Sequence, residues 1–433
     1  MKKLTILIPK IKPPEEPDII TNQLKNIFSK LKENFELNLI WLIFQPSEFN
    51  EYLFEDSIVI DYHKFHDASE IIKKIKPNLI ISEVRLGISG IIFSKIARFY
   101  NIPIITLTPT GESEFFSQIF STKSNFKLIF SDKVLADSSK NKNSKKFAML
   151  RFSLHRYSFL LKTLKNIDYS LLQRLKFCLL YPRIQIFSKT YPALHNITSG
   201  NINLCFNNHW KFRLIEAKFP EDSIMLCGDP AFDYLYEKIQ SKKIQSKKNQ
   251  NIPTEKIKLL FCPTPMHEHG WMTKTDEDNL IINLIKNIQN LKNIEISLKI
   301  HPSSSSYSEY ENLLKSNNIV ISLYQKEDTI ELLQKSDLMI TYGSSNVILD
   351  AILTKIPVIL FKDSKIPILS RLDDSSIISE CKSIHDLKDS IKKALKFSSS
   401  SESFEKYIEK QIGIFDGKNS NRISNIISNL LNN

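Results

Sequence analysis

Cysteine is scarce in this chain. Its five residues, Cys178, Cys205, Cys227, Cys262 and Cys381, lie far apart and show no C-x-x-C spacing. An odd, scattered set argues against a disulfide framework or a zinc site and favours reduced thiols in a cytoplasmic protein. Long apolar runs are missing too. No stretch approaches the roughly 18 uncharged residues needed to span a bilayer. The opening MKKLTILIPKIKPP holds only a short apolar run between lysines, which is expected to be a first β-strand and not a signal peptide. Acid is in deficit, with 47 Asp and Glu against 59 Lys and Arg and a formal net charge of +12. Such an excess implies an anionic partner, without choosing between nucleic acid, lipid headgroups and phosphorylated substrates.

What is present is apolar patterning. Hydrophobic residues make up 42% of the chain and recur throughout, which excludes disorder as the dominant state. At 433 residues the chain outgrows one core, and two domains of roughly 200 residues each are expected. Short apolar runs such as LTILIP (4–9), LNLIWLIF (37–44), NLIIS (78–82), IPIITLT (102–108) and KLIFSDKVLADS (127–138) alternate with amphipathic helical stretches. The second half repeats the plan with IKLLFCPT (257–264), ISLKIHP (296–302), IVISL (319–323), LMITYG (338–343) and PVILF (357–361). These are βαβ units, so the expected fold class is α/β, with two Rossmann-like parallel-sheet domains facing each other across a cleft. The lysine-, serine- and glutamine-rich tract 237–256 reads as a linker between domains 1–236 and 257–433.

One segment breaks the alternation. Residues 147–189 mix aromatics and leucines at helical spacing with Arg151, His155, Arg156, Lys162, Lys165, Arg174, Lys176 and Arg183. Two readings stay open for this basic helical insertion: helices packed on the first domain, and a surface that docks on anionic lipid.

In open parallel sheets, ligands bind beyond the carboxyl ends of the strands. Four such places stand out in the second half. In TYGSSNVILDAI (341–352) a strand stops at Gly343 and a helix start is expected at Ser344 and Ser345, a place suited to phosphate. Asp350, further along, could accept hydrogen bonds from ribose hydroxyls. In LKIHP (298–302), His301 ends a strand, where an imidazole can donate to a diphosphate. FCPTPMHEHGWM (261–272) places His267, Glu268, His269 and Trp271 in a loop. A zinc site there would need further ligands at suitable spacing, and none is evident, so phosphate or base contact is the expectation. CGDPAFDYL (227–235) turns at Gly228 and Pro230, with Asp233 placed either to cap the next helix or to face the cleft.

Taken in order, these motifs resemble the GT-B glycosyltransferase superfamily, most closely its CDP-glycerol glycerophosphotransferase and capsule or polysialic-acid transferase branch. The counterparts are GDPAFD (228–233), FCPTP (261–265), LKIHP (298–302), SDLMITYGSSNVILD (336–350), KIPVILF (355–361) and DGKNSNRI (416–423), together covering about residues 200–425. Two departures stand out: Ala231 replaces an arginine of the first motif, and Met266 and His267 stand where the second has Trp-Arg. Four residues separate Ser345 from Asp350, a spacing closer to the capsule-type sugar transferases. The stretch 77–112 is similar to the non-hydrolysing UDP-N-acetylglucosamine 2-epimerases. Glu112 matches a glutamate of that family, whose H-R-x-E-N segment is missing here.

The resemblance implies transfer of a sugar or polyol phosphate from a nucleotide-activated donor to a surface-polysaccharide or lipid-linked acceptor. His301 would stabilise the leaving diphosphate, and Glu112 or Glu114 would take the proton of the attacking hydroxyl. Gly343, Ser344, Ser345, Asp350, His267, His269, Gly228 and Asp233 would hold the donor. No metal or cofactor beyond the donor is implied. The alternative on the same fold is a sugar-nucleotide epimerase. A third reading, a basic nucleic-acid-binding protein, lacks any recognisable RNA or DNA module, so nucleic acid is not an expected partner. The expected location is cytoplasmic, with a peripheral position at the inner face of the plasma membrane if the basic insertion meets lipid.

Overall fold

The computed structural model describes residues 1–11, 13–15, 19–45, 47–83, 88–108, 142–177, 199–216, 218–246, 256–268, 272–301, 307–343, 345–362, 377–396 and 402–432. Among them, two separate sheets form. The first contains β1 (Lys2–Lys10), β2 (Phe35–Ile43), β3 (Tyr52–Phe54), β4 (Ser57–Asp61), β5 (Leu79–Glu83), β6 (Ile104–Leu107), β7 (Ile202–Cys205) and β8 (Ile224–Leu226). Their order is β3-β4-β2-β1-β5-β6-β7-β8, and β3 alone among these pairs antiparallel. The second contains β9 (Ile257–Phe261), β10 (Ile294–Lys299), β11 (Ser322–Tyr324), β12 (Leu338–Tyr342), β13 (Val358–Phe361) and β14 (Ile378–Cys381). It is parallel throughout in the order β11-β10-β9-β12-β13-β14.

The apolar runs explain this architecture. Successive strand residues point to opposite faces, and here both faces are covered. Leu7, Ile40, Leu42, Ile60, Ile80 and Ile104 pack into one core, whereas Ile6, Ile8, Leu39, Trp41, Val59 and Ile105 pack into the other. The second sheet is divided in the same way, with Leu259, Phe261 and Ile340 on one side and Leu260, Met339 and Leu360 on the other. Two doubly covered parallel sheets are what the alternation predicted. The expected strand at 127–138 lies outside the described residues.

The connection between the sheets differs from expectation. The tract 237–256 continues a helix, Ala231–Ser246, as far as Ser246. Its Phe232, Leu235 and Ile239 are buried against the second sheet, and this i, i+3, i+7 spacing gives the helix an apolar stripe that lysine-rich composition hides. The helix Asn419–Asn432 does the reverse: Ile423 and Ile427 are buried in the core of the first sheet. Among the described residues the chain therefore crosses between the sheets twice.

Helical packing on the first sheet is also seen for the basic segment. The helix Lys142–Asn166 buries Phe152, Phe159, Leu160 and Leu164, and Thr163 Oγ1 accepts the backbone N–H of Ala68 at 3.0 Å. Leu154, Leu171, Leu172 and Leu175 remain exposed. Residues 178–189 lie outside the described set. No described helix is long and apolar enough to cross a membrane.

Candidate nucleotide site

Three strand ends of the second sheet, those of β9, β10 and β12, lie side by side at its carboxyl edge. Hydroxyls stitch two of them together: Thr341 Oγ1 donates to the Cys262 carbonyl at 2.6 Å, and Thr264 Oγ1 to that of Tyr342 at 2.6 Å. Gly343 follows with φ +69°, and a Cβ there would lie 2.3 Å from the Met266 methyl. Glycine takes up that left-handed backbone without strain. The loop after β9 is thus pressed against the turn after β12.

An acid that was not singled out from sequence holds the loop in place. Glu277, buried near the start of the helix Lys274–Gln289, accepts the N–H of Met266 at 2.8 Å and that of His267 at 3.2 Å. The Tyr342 hydroxyl donates to it at 3.3 Å. Burial raises its carboxyl above the ordinary range, while the Met266 amide opposes the shift. A lone glutamate in a helical sequence gives no sign of this role, because its partners lie 10, 11 and 65 residues away.

His301 is exposed just beyond β10. Below it Lys299 is buried, donating to the Gln325 carbonyl, and burial lowers its ammonium pKa. Ser345 Oγ accepts the Val347 N–H at 3.4 Å where the short helix Val347–Leu353 begins. Asp350 sits partly buried on that helix. Burial pushes its carboxyl up to about 7, and Asp328 adds to the shift, so near neutral pH it can offer or accept a proton in a hydrogen bond. His267 is half-buried beside the Met272 carbonyl, at 3.4 Å. Ser344, His269, Glu112 and Glu114 lie outside the described residues.

Gly228 and Asp233 take part in a second set of contacts. Asp233 Oδ1 accepts the N–H of Asn419 at 2.9 Å and Oδ2 that of Ser420 at 2.7 Å, so both oxygens cap the helix that returns to the first sheet. Asp229 accepts from Gln23 Nε2 and from the Ala231 N–H, each at 2.9 Å. Arg422 donates to the Cys227 carbonyl at 2.7 Å and pairs with Asp416 at 2.6 Å. The GDPAFD and DGKNSNRI motifs therefore meet each other and build the junction between the sheets. Asp233 thus caps that helix, one of the two roles its position allowed.

On the first sheet the carboxyl end of β4 carries a second group missed from sequence. Asp61 is buried and accepts from Phe49 N at 2.9 Å, His63 N at 3.0 Å and His63 Nδ1 at 2.7 Å. His155, on the helix Lys142–Asn166, lies 2.9 Å through Nδ1 from the Tyr62 hydroxyl, and its ring stacks on that of His63 at 4.8 Å. Burial, then the neighbouring His63 and Lys162, lower its pKa. Among the described residues no group of three or more His, Cys, Asp or Glu side chains could hold a metal ion.

Comparison with known proteins gives three kinds of result. No curated protein matches the chain. Among solved structures, the UDP-GlcNAc 2-epimerase from Methanocaldococcus jannaschii aligns over 99% of both chains with a TM-score of 0.52 and 12% identity. The wall teichoic acid polymerase TagF aligns over 99% of this chain and 89% of its own, with a TM-score of 0.52 and 14% identity. The glycotransferase of kitacinnamycin aligns over 99% of both chains, with a TM-score of 0.51 and 10% identity. At such identities these likenesses show the fold, and they bear out the GT-B architecture expected from sequence. The family described as UDP-N-acetylglucosamine 2-epimerase matches residues 198–428, a span that takes in the whole second sheet, its three site loops and both crossings between the sheets. With more than half of its length matched in this way, the chain belongs to the UDP-N-acetylglucosamine 2-epimerase family.

Proposed function

We propose that this enzyme transfers a sugar, or a polyol phosphate, from a nucleotide-activated donor to a surface-polysaccharide or lipid-linked acceptor. The observation that carries this reading is the meeting of three loops at one sheet edge: His267 after β9, His301 after β10, and Gly343 and Ser345 after β12. Histidines beside a glycine turn suit a diphosphate, and they stabilise charge on a departing phosphate without a metal. Asp350, with its carboxyl raised to about 7, would meet the ribose, and Ser344 and His269 would complete the donor contacts. Glu112 or Glu114 would serve the acceptor as base.

The proposed acceptor side is strongly basic. Residues 142–177 hold nine lysines and arginines against one acid, Asp168, beside the exposed Leu154, Leu171, Leu172 and Leu175. Leucines among cations suit the headgroup region of an anionic bilayer, where a lipid-linked acceptor would be found.

Family membership favours a second reading, epimerisation of UDP-N-acetylglucosamine. The two are separated by product analysis. An epimerase changes the donor sugar with no acceptor present, whereas the transferase leaves the donor unchanged until acceptor is added and then releases nucleotide. Thermal-shift screening against UDP, CDP, CMP and GDP compounds selects the donor base first, because a ligand that binds only the folded state raises the melting temperature. If none of them raises it, the nucleotide reading fails.

A further inference from the structure

A buried carboxylate is costly unless its oxygens are well supplied with donors, and Glu277 has three: the amides of Met266 and His267 and the hydroxyl of Tyr342. These donors belong to different strand ends, the loop after β9 and the last residue of β12. The side chain therefore spans the gap between two of the three site loops. Its place in the first turn of the helix Lys274–Gln289 favours an anion, since the amino end of a helix carries partial positive charge. Met266, one of the residues it holds, is the residue whose methyl would meet a Cβ at Gly343 at 2.3 Å. Thr264, on the same loop, donates to the Tyr342 carbonyl at 2.6 Å, so moving the loop would pull on the turn.

We propose that Glu277 is the positioning residue of the nucleotide site, setting the spacing between the loop that carries His267 and the turn at Gly343, and thereby the affinity for a nucleotide diphosphate. This rests on the reading of the site given above. An ionised carboxylate can accept both amides at once. Glutamine cannot, because its NH2 group would face one of the two N–H donors. The charged and titratable groups around Glu277 are His267 and Glu268 on the loop, Lys274 on its own helix, and Tyr342, behind which lies Tyr310. Tyr342 is held far above its ordinary pKa by burial and then by Glu277, so it stays a neutral donor. Loss of the hydrogen-bonding pattern at low pH then falls to Glu277, whose pKa is raised by burial.

The test is calorimetric titration of UDP into wild type, Glu277→Gln and Glu277→Asp across the acid range, with melting curves on the same samples. Glu277→Gln is expected to bind UDP about tenfold more weakly at neutral pH, the worth of one strong hydrogen bond to a charged group. Glu277→Asp keeps the charge and should recover part of that loss. As pH falls through the raised carboxyl value, wild type should converge on the glutamine variant. A purely structural Glu277 would lower the melting temperature and leave UDP affinity unchanged in the folded protein, and that result overturns the proposal. If Glu277→Gln does not fold, Tyr342→Phe replaces it: a loss of about threefold is expected from removing one neutral donor, and unchanged affinity overturns the proposal. Wild type that binds no UDP, CDP or GDP removes the nucleotide reading itself, an outcome distinct from nucleotide binding that ignores position 277.

Discussion

Gly228→Ala tests whether the GDPAFD motif builds the junction or the donor site. Gly228 has φ +76°, and a Cβ built there would lie 2.1 Å from Asn419 Oδ1, 2.6 Å from its Cγ and 2.9 Å from the Ile414 carbonyl. Asn419 cannot step aside cheaply. Its Nδ2 donates to the Asp229 carbonyl at 3.0 Å and to that of Ile414 at 3.2 Å, and its Oδ1 accepts from Arg422 at 2.7 Å. Left-handed backbone costs an alanine about 1–2 kcal/mol. Forcing a methyl into a fixed contact adds about 1–3 kcal/mol. The expected loss is therefore about 3 kcal/mol, a large part of the roughly 5–15 kcal/mol that holds a domain folded. Urea unfolding followed by circular dichroism measures it, and UDP titration on the folded fraction measures the site. The variant should be destabilised while its nucleotide affinity stays at the wild-type value. A stability loss below about 1 kcal/mol would refute the junction geometry, and an affinity loss well beyond about threefold would return the motif to the donor site.

Three further outcomes are expected. His301→Ala should lower turnover by about tenfold or more, through lost stabilisation of the leaving phosphate, with little change in melting temperature because the side chain is exposed; wild-type activity in the folded variant would remove that role. The pKa of His155 is lowered on folding, first by burial and then by His63 and Lys162, against the opposing pull of Glu48 and Asp61. Its contribution is thus complete above the unfolded value of about 6.5 and is lost as pH falls below it. Hydrogen exchange should show the helix Lys142–Asn166 loosening in that window, and His155→Gln should flatten the dependence; equal protection on both sides of the window would contradict this. Cosedimentation with liposomes should rise with anionic lipid and fall with salt, since each basic side chain near such a surface gains roughly 1 kcal/mol. Indifference to anionic liposomes at low salt would leave the segment 142–177 as packing alone.

Much of the fold was legible because it is written locally. Runs such as Leu37 to Phe44 and Leu338 to Gly343 are apolar on both alternating faces, which only a doubly covered strand requires. The strand-end rule pointed to His301, Gly343 and Ser345, which do follow β10 and β12. What escaped depends on partners distant in sequence. Glu277 looks like an ordinary helix-start acid until Tyr342, 65 residues on, is placed beside it. His63 and His155 meet only because the helix Lys142–Asn166 lies over β4, and Asp61 shows its three donors only in three dimensions. The helix Ala231–Ser246 was hidden by composition, its buried Phe232, Leu235 and Ile239 outnumbered by lysines, serines and glutamines.

The double crossing of the chain bears on how this protein is made. The helix Ile19–Leu31 is made about 400 residues before Asn419–Asn432, yet the two pack together, and Ile423 and Ile427 complete the core of the first sheet. During vectorial synthesis the amino-terminal half emerges first with part of its apolar surface uncovered, and it stays so until residues 419–432 have been made. The second sheet, with strands between residues 257 and 381, also takes Phe404, Tyr407 and Ile412 into its core, but its wait for them is far shorter. Folding on the ribosome therefore cannot finish in amino-to-carboxyl order, and the amino-terminal half is the part most exposed to chaperones and to aggregation while it waits.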